Sequence, residues 1–310
     1  MPQKPNAPIL IAGPTAGGKS ALALALARAL DGVVINADSM QVYSELRVLT
    51  ARPTPEDEAA VPHRLYGTVS AARAYSVGRW LEEAGRKIAT ARRLGRTPIV
   101  VGGTGLYFKA LLEGLASIPD VPAEIRERWR EQAARVSAAA LHRLLVERDP
   151  VMAARLDPRD PQRIVRALEV IEATRRSLAE WQAAPARPVL GPGEAVAVVV
   201  APLREVIHAR CEARVDAMIG GGALREVARL EEMKLSPGLP AMRALGVAAL
   251  RAHLAGEIGL EEAAARVKTE TRRYAKRQTT WLKSNMIAWK WFIEKDIERL
   301  KPEIFAFVDG

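Results

Sequence analysis

Short apolar runs that alternate with helical patterns dominate the first third of the chain. Three such runs lie at 8–12, 32–37 and 97–101. Before the third run, apolar residues recur at helical spacing from about 76 to 94, where Ser76 is placed to cap the helix. Fully apolar strands that alternate with helices are typical of a parallel sheet covered on both faces. This pattern predicts an α/β fold.

The pattern changes after residue 118. Residues 123–182 show only helical periodicity, and a further apolar run at 195–200 indicates a return to the sheet. From Arg204 to about Lys295 the chain again favours helices. We predict an α/β core at 1–118, a helical insertion at 119–190, and a return to the core at 191–310 that holds the final strand and the C-terminal helices.

A glycine-rich loop joins the first apolar run to an alanine- and leucine-rich helix that begins at Ser20. Such loops bind diphosphate or triphosphate through backbone amides and the positive end of the helix. Lys19 would reach the outer phosphates, and Ser20 would bind Mg²⁺. Kinases, ATPases and some transferases share the loop, so it leaves the reaction open. The loop fits the pattern G-x-x-x-x-G-K-[ST] and consists of Gly13, Pro14, Thr15, Ala16, Gly17, Gly18, Lys19 and Ser20.

Two further polar residues follow the second and third apolar runs. Asp38 comes directly after the second run, and Thr104 lies in a glycine-rich turn after the third. Because the carboxyl ends of parallel strands meet at one edge, we expect both residues beside the phosphate loop. Asp38 has three possible roles, namely Mg²⁺ ligand, proton acceptor or helix cap. Thr104 suits hydrogen bonding to a leaving phosphate oxygen, or only a structural turn.

Composition narrows the class of protein and its partners. The chain of 310 residues carries a net charge of +10, which favours a polyanionic partner, although an arginine-rich proteome gives the same excess. One cysteine, Cys211, rules out an intramolecular disulfide and lies in a helical pattern. No apolar run has the length of a membrane span, and the N-terminus shows no signal core. We expect a cytoplasmic enzyme that binds no membrane.

The charge is concentrated near the C-terminus. Arg272, Lys276 and Lys283 recur at helical spacing, which predicts one strongly basic face, and Tyr274 and Trp281 are interleaved with them. Such a face suits an RNA backbone and stacked bases, whereas a solvated helix surface is the plainer alternative. The full cluster is Arg266, Lys268, Arg272, Arg273, Lys276, Arg277 and Lys283, and in the sequence only Glu270 opposes it.

Six stretches together resemble the tRNA dimethylallyltransferase family of bacterial type. They occur in the order found in that family and cover nearly the whole chain. They are the phosphate loop and residues 38–43, 102–107, 160–169, 241–246 and 274–282.

The resemblance implies a P-loop NTPase-like parallel sheet with a helical insertion domain and a mostly helical C-terminal part. It implies transfer of a dimethylallyl group from dimethylallyl diphosphate to the exocyclic N6 amine of the adenosine 3′ of the tRNA anticodon. Asp38 would then take the amine proton, and Thr104 would assist the leaving diphosphate. Lys19, Arg214 and Mg²⁺ held by Ser20 would neutralise its charge.

The same resemblance implies that the anticodon stem-loop is the macromolecular partner of a monomeric enzyme. The residues expected to contact tRNA are Asp38, Ser39, Met40, Gln41, Thr104, Arg126, Gln162, Arg163, Ile164, Val165, Arg166, Arg243, Lys276, Arg277, Gln278, Trp281 and Lys283.

Three other functions share parts of these patterns. A small-molecule kinase would use the same loop, with Asp38 as the base for a hydroxyl acceptor. A prenyltransferase that acts on free adenine nucleotides would need neither the insertion nor the basic helix. A non-catalytic RNA-binding protein would have no use for a complete phosphate loop.

Overall fold

The computed structural model describes residues 6–293 and 297–309. The chain forms two compact units. The first consists of Met1–Leu112 and Val189–Gly310, and the second of Glu113–Pro188. The insertion was expected at 119–190.

A parallel sheet of six strands lies at the centre of the first unit and confirms the predicted α/β class. The strand order is β3-β2-β4-β1-β5-β6, so the strand that precedes the phosphate loop is central. The strands are β1 (Ile9–Ala12), β2 (Gly32–Asn36), β3 (His63–Arg64), β4 (Thr97–Gly102), β5 (Val196–Val200) and β6 (Lys290–Phe292).

Helices flank this sheet and form the whole regular structure of the second unit. The first unit contributes α1 (Lys19–Ala29), α2 (Pro55–Ala60), α3 (Val77–Arg93) and α4 (Gly105–Glu113). The second unit contains α5 (Ala123–Arg135), α6 (Ala138–Arg148), α7 (Pro150–Ala153), α8 (Pro161–Thr174) and α9 (Leu178–Ala183). The chain then adds α10 (Arg204–Gly220), α11 (Ala223–Glu232), a short 3₁₀ turn at Pro240–Arg243, α12 (Val247–Leu254), α13 (Leu260–Asn285) and α14 (Ile297–Asp309).

Alternation along each strand divides the core between the two faces of the sheet. Ile9 and Ile11 pack on the face covered by α1, whereas Leu10 and Ala12 pack on the face covered by α3. Trp80 of α3 is fully buried on that second face. Because both faces are covered, the strands are apolar throughout, and this is why the sequence shows them as continuous apolar runs.

The prediction of a largely helical chain from 204 to 295 was wrong at its end. Strand β6 follows α13 and pairs with β5, so the 195–200 run is not the final strand. Its three residues, Lys290, Trp291 and Phe292, are too few to show a period. Residues 294 and 295 of that prediction lie outside the described residues.

Strands β2 and β4 come unusually close at their carboxyl ends. A Cβ atom at Gly102 would lie 2.0 Å from the carbonyl oxygen of Ala37, and this oxygen also accepts a hydrogen bond from the N–H of Thr104 at 3.2 Å. A glycine at this position therefore allows the segments that carry Asp38 and Thr104 to lie side by side.

We expect Gly102→Ala to lower the free energy of unfolding by about 2 kcal/mol or more, because backbone must move to admit the methyl group. The measurement is urea denaturation. Gly78→Ala in α3 is the matched control, since the nearest atom to its added Cβ is 3.9 Å away. The control should stabilise slightly, because alanine favours helix. Equal midpoints for the two variants would contradict the close approach.

Candidate active site

The phosphate loop has the backbone geometry of an anion-binding turn. Gly13 lies against β5, where a Cβ would be 2.3 Å from the carbonyl oxygen of Val200. Ala16 and Gly18 adopt left-handed backbone angles, with φ of 60° and 88°. No side chain caps the start of α1, so its first N–H groups remain available to a phosphate.

Two half-buried cations lie beside this loop. The Lys19 ammonium donates to the carbonyl oxygen of Pro14 at 3.1 Å, and Arg214 donates to the Thr15 hydroxyl at 3.0 Å. Burial lowers the pKa of Lys19 to about 8, with Arg214 contributing in the same direction and Asp38 opposing. Burial also lowers the pKa of Arg214. The positive charge here is poorly solvated, so a bound anion would be strongly favoured.

Asp38 is held in place by the buried Asn36 at the end of β2. The backbone N–H of Asp38 donates to Asn36 Oδ1 at 2.8 Å, and Asn36 Nδ2 donates to the carbonyl oxygen of Asp38 at 2.9 Å. Asp38 Oδ1 accepts from the N–H of Met40 at 2.9 Å. Within the described residues Oδ2 has no hydrogen-bond partner, so it is available as a proton acceptor. The helix-cap interpretation is excluded, because the next helix starts only at Pro55.

Thr104 lies next to Asp38, as its position after the third apolar run predicted. Its hydroxyl oxygen accepts a hydrogen bond from the N–H of Ser39 at 3.0 Å. The Thr104 hydroxyl in turn donates a hydrogen bond to the Ser39 hydroxyl at 3.4 Å. The Thr104 side chain is therefore oriented by the segment that follows Asp38.

Gln278 joins the two glycine-rich loops of the site. Its Oε1 accepts from the N–H of Thr15 at 2.8 Å, and its Nε2 donates to the carbonyl oxygen of Gly103 at 2.9 Å. The side chain is buried. Sequence reasoning assigned Gln278 to tRNA contact, and the pattern of residues gave no signal for this interior role.

These elements surround a cavity of about 280 Å³, named here the catalytic cavity. Thr15, Asp38, Ser39 and Arg214 form its polar end, and its apolar wall consists of Met40, Leu49, Met218, Leu245 and Val267. Tyr274 and Arg277 enter from α13. Burial, together with the negative charge of Asp38, raises the pKa of Tyr274. The cavity thus combines an anion-binding end, a carboxylate and an apolar wall.

The apolar wall depends on a buried carboxylate that the sequence pattern did not reveal. Glu226 of α11 accepts hydrogen bonds from the backbone N–H groups of Arg47, Val48 and Leu49 at 2.9, 2.7 and 2.9 Å. These bonds satisfy the carboxylate in the interior and fix Leu49 at the cavity.

The structure distributes the other predicted tRNA contacts of the first unit over several environments. Ser39, Met40, Arg243 and Arg277 line the catalytic cavity with Asp38. The amide of Gln41 donates to two backbone carbonyls, those of Thr50 and Ala51. The ring of Trp281 packs on Gly105, where a Cβ would lie 2.0 Å from a ring carbon, and Lys276 and Lys283 lie on another flank of α13.

The second unit requires one correction to the predicted contacts. Ile164 and Val165 are buried in its core, because α8 turns these positions inward, and their side chains present no surface to tRNA. Gln162, Arg163 and Arg166 are exposed on the same helix. Arg126 donates to the carbonyl oxygen of Val121 at 2.9 Å.

The basic cluster of α13 is better neutralised than its sequence indicated. Helix α10 supplies Glu212 to Arg272 at 2.5 Å and Asp216 to Lys268 at 2.7 Å. Arg266 pairs with Glu262 of its own helix at 2.6 Å. The expectation that only Glu270 opposes the cluster was therefore wrong, because the acids of α10 meet these cations only in the folded chain.

Neither a metal cluster nor a membrane span is found among the described residues. No group of three or more His, Cys, Asp or Glu side chains converges in 6–293 and 297–309. No helix in these ranges combines the length and apolarity needed to cross a bilayer. Cys211 lies in α10, as its helical pattern predicted, and its side chain is buried there.

We expect Gln278→Leu to weaken binding of inorganic diphosphate about tenfold and to lower stability by about 1–3 kcal/mol. The substitution leaves the N–H of Thr15 and the carbonyl of Gly103 without partners. Calorimetric titration and urea denaturation measure the two effects. Ser284→Ala on the exposed face of the same helix is the control, and it should leave diphosphate affinity and stability almost unchanged. Unchanged binding in Gln278→Leu would contradict the bridging role.

The lowered pKa of Lys19 predicts a pH dependence for diphosphate binding. A bound diphosphate favours the ammonium form, so the complex has the higher pKa and affinity is greatest below about pH 8. Affinity should fall as the pH rises above this value, by up to about tenfold per pH unit. Calorimetric titration with methyl diphosphate, whose own charge is constant in this pH range, tests this. Lys19→Arg should remove the dependence, because arginine stays charged. A flat profile for the unmodified chain would refute the assignment.

Two family models match the chain. One described as IPP transferase matches residues 41–285, and one described as Isopentenyl transferase matches residues 7–71. A tRNA dimethylallyltransferase from Rhodopseudomonas palustris is 56% identical over 285 residues, which are 92% of this chain and 89% of that protein. A tRNA dimethylallyltransferase from Parvibaculum lavamentivorans is 52% identical over 301 residues, which are 97% of this chain and 95% of that protein.

Solved structures give the same answer. The full-length tRNA isopentenylpyrophosphate transferase of Bacillus halodurans matches with a TM-score of 0.71 at 32% identity, covering 98% of this chain and 96% of that one. A eukaryotic dimethylallyltransferase acting on tRNA matches with a TM-score of 0.79 at 28% identity, and the match covers 94% of this chain and 75% of that one. The predicted resemblance is confirmed, and the chain belongs to the IPP transferase family as a tRNA dimethylallyltransferase-type enzyme.

Proposed function

We propose that the protein transfers a dimethylallyl group from dimethylallyl diphosphate to the N6 amine of the adenosine 3′ of the anticodon in tRNA and releases diphosphate. The observation that carries the proposal is the catalytic cavity, in which an anion-binding loop, a positioned carboxylate and an apolar wall occur together. A kinase would have no use for that wall beside its transferred phosphate.

The diphosphate binds at the phosphate loop, where Lys19 and Arg214 neutralise its charge. In the reaction, the bond between the allylic carbon and the diphosphate oxygen breaks with both electrons on oxygen. Charge that develops on this oxygen is stabilised by the two cations, and Thr104 supplies a hydroxyl donor. Partial burial of the cations strengthens this effect, because it reduces screening by water.

The nucleophile is the N6 lone pair of adenine, which forms the new carbon–nitrogen bond. The amine then carries a surplus proton, and Asp38 accepts it on Oδ2. The bonds from Asn36 and Met40 hold the carboxylate in one orientation for this transfer. Adenine must leave its base stack to enter the cavity, where Tyr274 and Arg277 offer a ring and a guanidinium.

Mg²⁺ fits the donor set of the loop. Ser20 is exposed at the start of α1, and Mg²⁺ in phosphate sites is commonly held by few protein oxygens together with substrate phosphates. We propose that Ser20 would hold the ion against the diphosphate, where its charge would further stabilise the leaving group.

The direct test is transfer of isotope from labelled dimethylallyl diphosphate to unmodified tRNA, with Mg²⁺ and without ATP. Label in the tRNA at the adenosine 3′ of the anticodon is the expected result. Label only on AMP or ADP supplied in parallel would indicate a prenyltransferase that acts on free nucleotides. No label in any product would favour the kinase hypothesis.

Asp38→Asn should lower the transfer rate by about 10²–10⁴-fold, because the amide keeps the size and the Oδ1 acceptor but cannot take the proton. The affinity for tRNA, measured by filter binding, should change little. Ser44→Ala is the control, because Ser44 follows in the same segment and lines no part of the catalytic cavity. A rate for Asp38→Asn within about threefold of the unmodified enzyme would eliminate Asp38 as the base.

A further inference from the structure

A second cavity lies on the opposite flank of α13 from the catalytic cavity. Its volume is about 310 Å³, and it is named here the flank cavity. A buried cluster of Ala16, Ile207, Cys211 and Ala275 lies between α10, α13 and the phosphate loop, and no residue of that loop lines the flank cavity. The two cavities are therefore distinct.

Positive charge dominates the rim of the flank cavity. Arg204, Lys276 and Lys283 form no ion pair or hydrogen bond with any side chain that the structure describes, and the described lining contains no carboxylate. Arg272 also lines the cavity but is already paired with Glu212. Three cations that have no partner among the described residues, around one concave surface, favour an anion. The N–H groups of the first turn of α10, which lacks a side-chain cap, add to the same field, and Glu205 in that turn offsets part of it.

The floor of the flank cavity is apolar and contains an aromatic ring. Leu203, Ile207 and Ala275 contribute aliphatic surface. Trp291 is half-buried, and its indole N–H donates to the carbonyl oxygen of Met286 at 3.1 Å, which fixes the ring. An immobilised indole face is a platform for stacking of a flat base.

We propose that the flank cavity binds a nucleoside phosphate, with its base against Trp291 and its phosphate among Arg204, Lys276 and Lys283. The hydroxyl of Thr280, which is exposed at the same wall, suits the polar edge of a base or ribose. The volume admits one nucleotide. The source is either a nucleotide of bound RNA other than the modified adenosine, or a free mononucleotide.

The test uses the full chain with the catalytic cavity filled by an excess of a non-reactive thio analogue of dimethylallyl diphosphate. AMP is then titrated while the indole ¹⁵N–¹H signals are recorded by NMR, and Trp291→Phe identifies the relevant signal. We expect the Trp291 signal to shift saturably with AMP. A Trp291 signal that already shifts with the analogue alone would show a prenyl diphosphate site instead and would overturn the proposal.

Charge reversal at the rim supplies the matched variants. Arg204→Glu and Lys283→Glu should each weaken AMP binding about tenfold. Arg273→Glu is the control. Arg273 is exposed on α13 and lines neither the flank cavity nor the catalytic cavity, so this variant should leave the AMP affinity unchanged. Equal affinities in all three variants would overturn the proposal.

The two sources are separated by adding the tRNA anticodon stem-loop to the complex with AMP. Displacement of AMP from Trp291 would identify the ligand as a nucleotide of the RNA, and simultaneous binding would identify a free nucleotide. If neither AMP nor the stem-loop shifts the Trp291 signal, the site does not exist. This readout needs no catalysis, so failure of the proposed transfer reaction would leave it interpretable.

Discussion

The geometry of the site depends on one buried side-chain amide. Gln278 connects the phosphate loop to the turn that carries Thr104, and each of its two polar side-chain atoms bonds one backbone group. The contact is possible because residue 103 is glycine, since a Cβ there would lie 2.1 Å from Nε2 of Gln278. A helix far along the chain thus fixes the distance between the phosphate loop and the turn that carries Thr104. Other arrangements would leave the N–H of Thr15 or the carbonyl of Gly103 without a partner in the interior, and the free-energy cost of that loss disfavours them.

The electrostatics of the site follow from the same enclosure. Lys19 and Arg214 lose hydration when the loop is buried, and Asp38 offsets only part of their charge. The site therefore carries a surplus of poorly hydrated positive charge, and a bound anion would neutralise it. Pre-oriented charges of this kind require little reorganisation during reaction, which is the physical basis of stabilising a leaving group.

Local sequence patterns predicted the features that are set by neighbouring residues, namely the buried strands and the phosphate loop. The apolar runs at 8–12, 32–37, 97–101 and 195–200 became strands because both faces of the sheet are covered, and the glycine pattern placed the phosphate loop. Contacts between distant segments were missed. Glu226 satisfies a loop almost 180 residues away, as the separation of 179 between Arg47 and Glu226 shows, and Glu212 neutralises Arg272 from another helix. Strand β6 is too short to carry a period, and Ile164 and Val165 were assigned to a surface that their helix turns away from. These results are decided by tertiary packing, which single-sequence patterns do not contain.

The central position of β1 has a consequence for the order in which the chain folds. Its neighbours are β4 and β5, and the second unit is synthesised between them. While a nascent chain emerges, β1 has one free edge until residue 196 is available, and the phosphate loop lacks its support from Val200 and Gln278. Non-local parallel pairing of this kind slows folding and leaves an apolar strand edge exposed for longer. During that interval the unpaired edge of β1 is open to aberrant strand pairing, and the phosphate loop is not yet held in place.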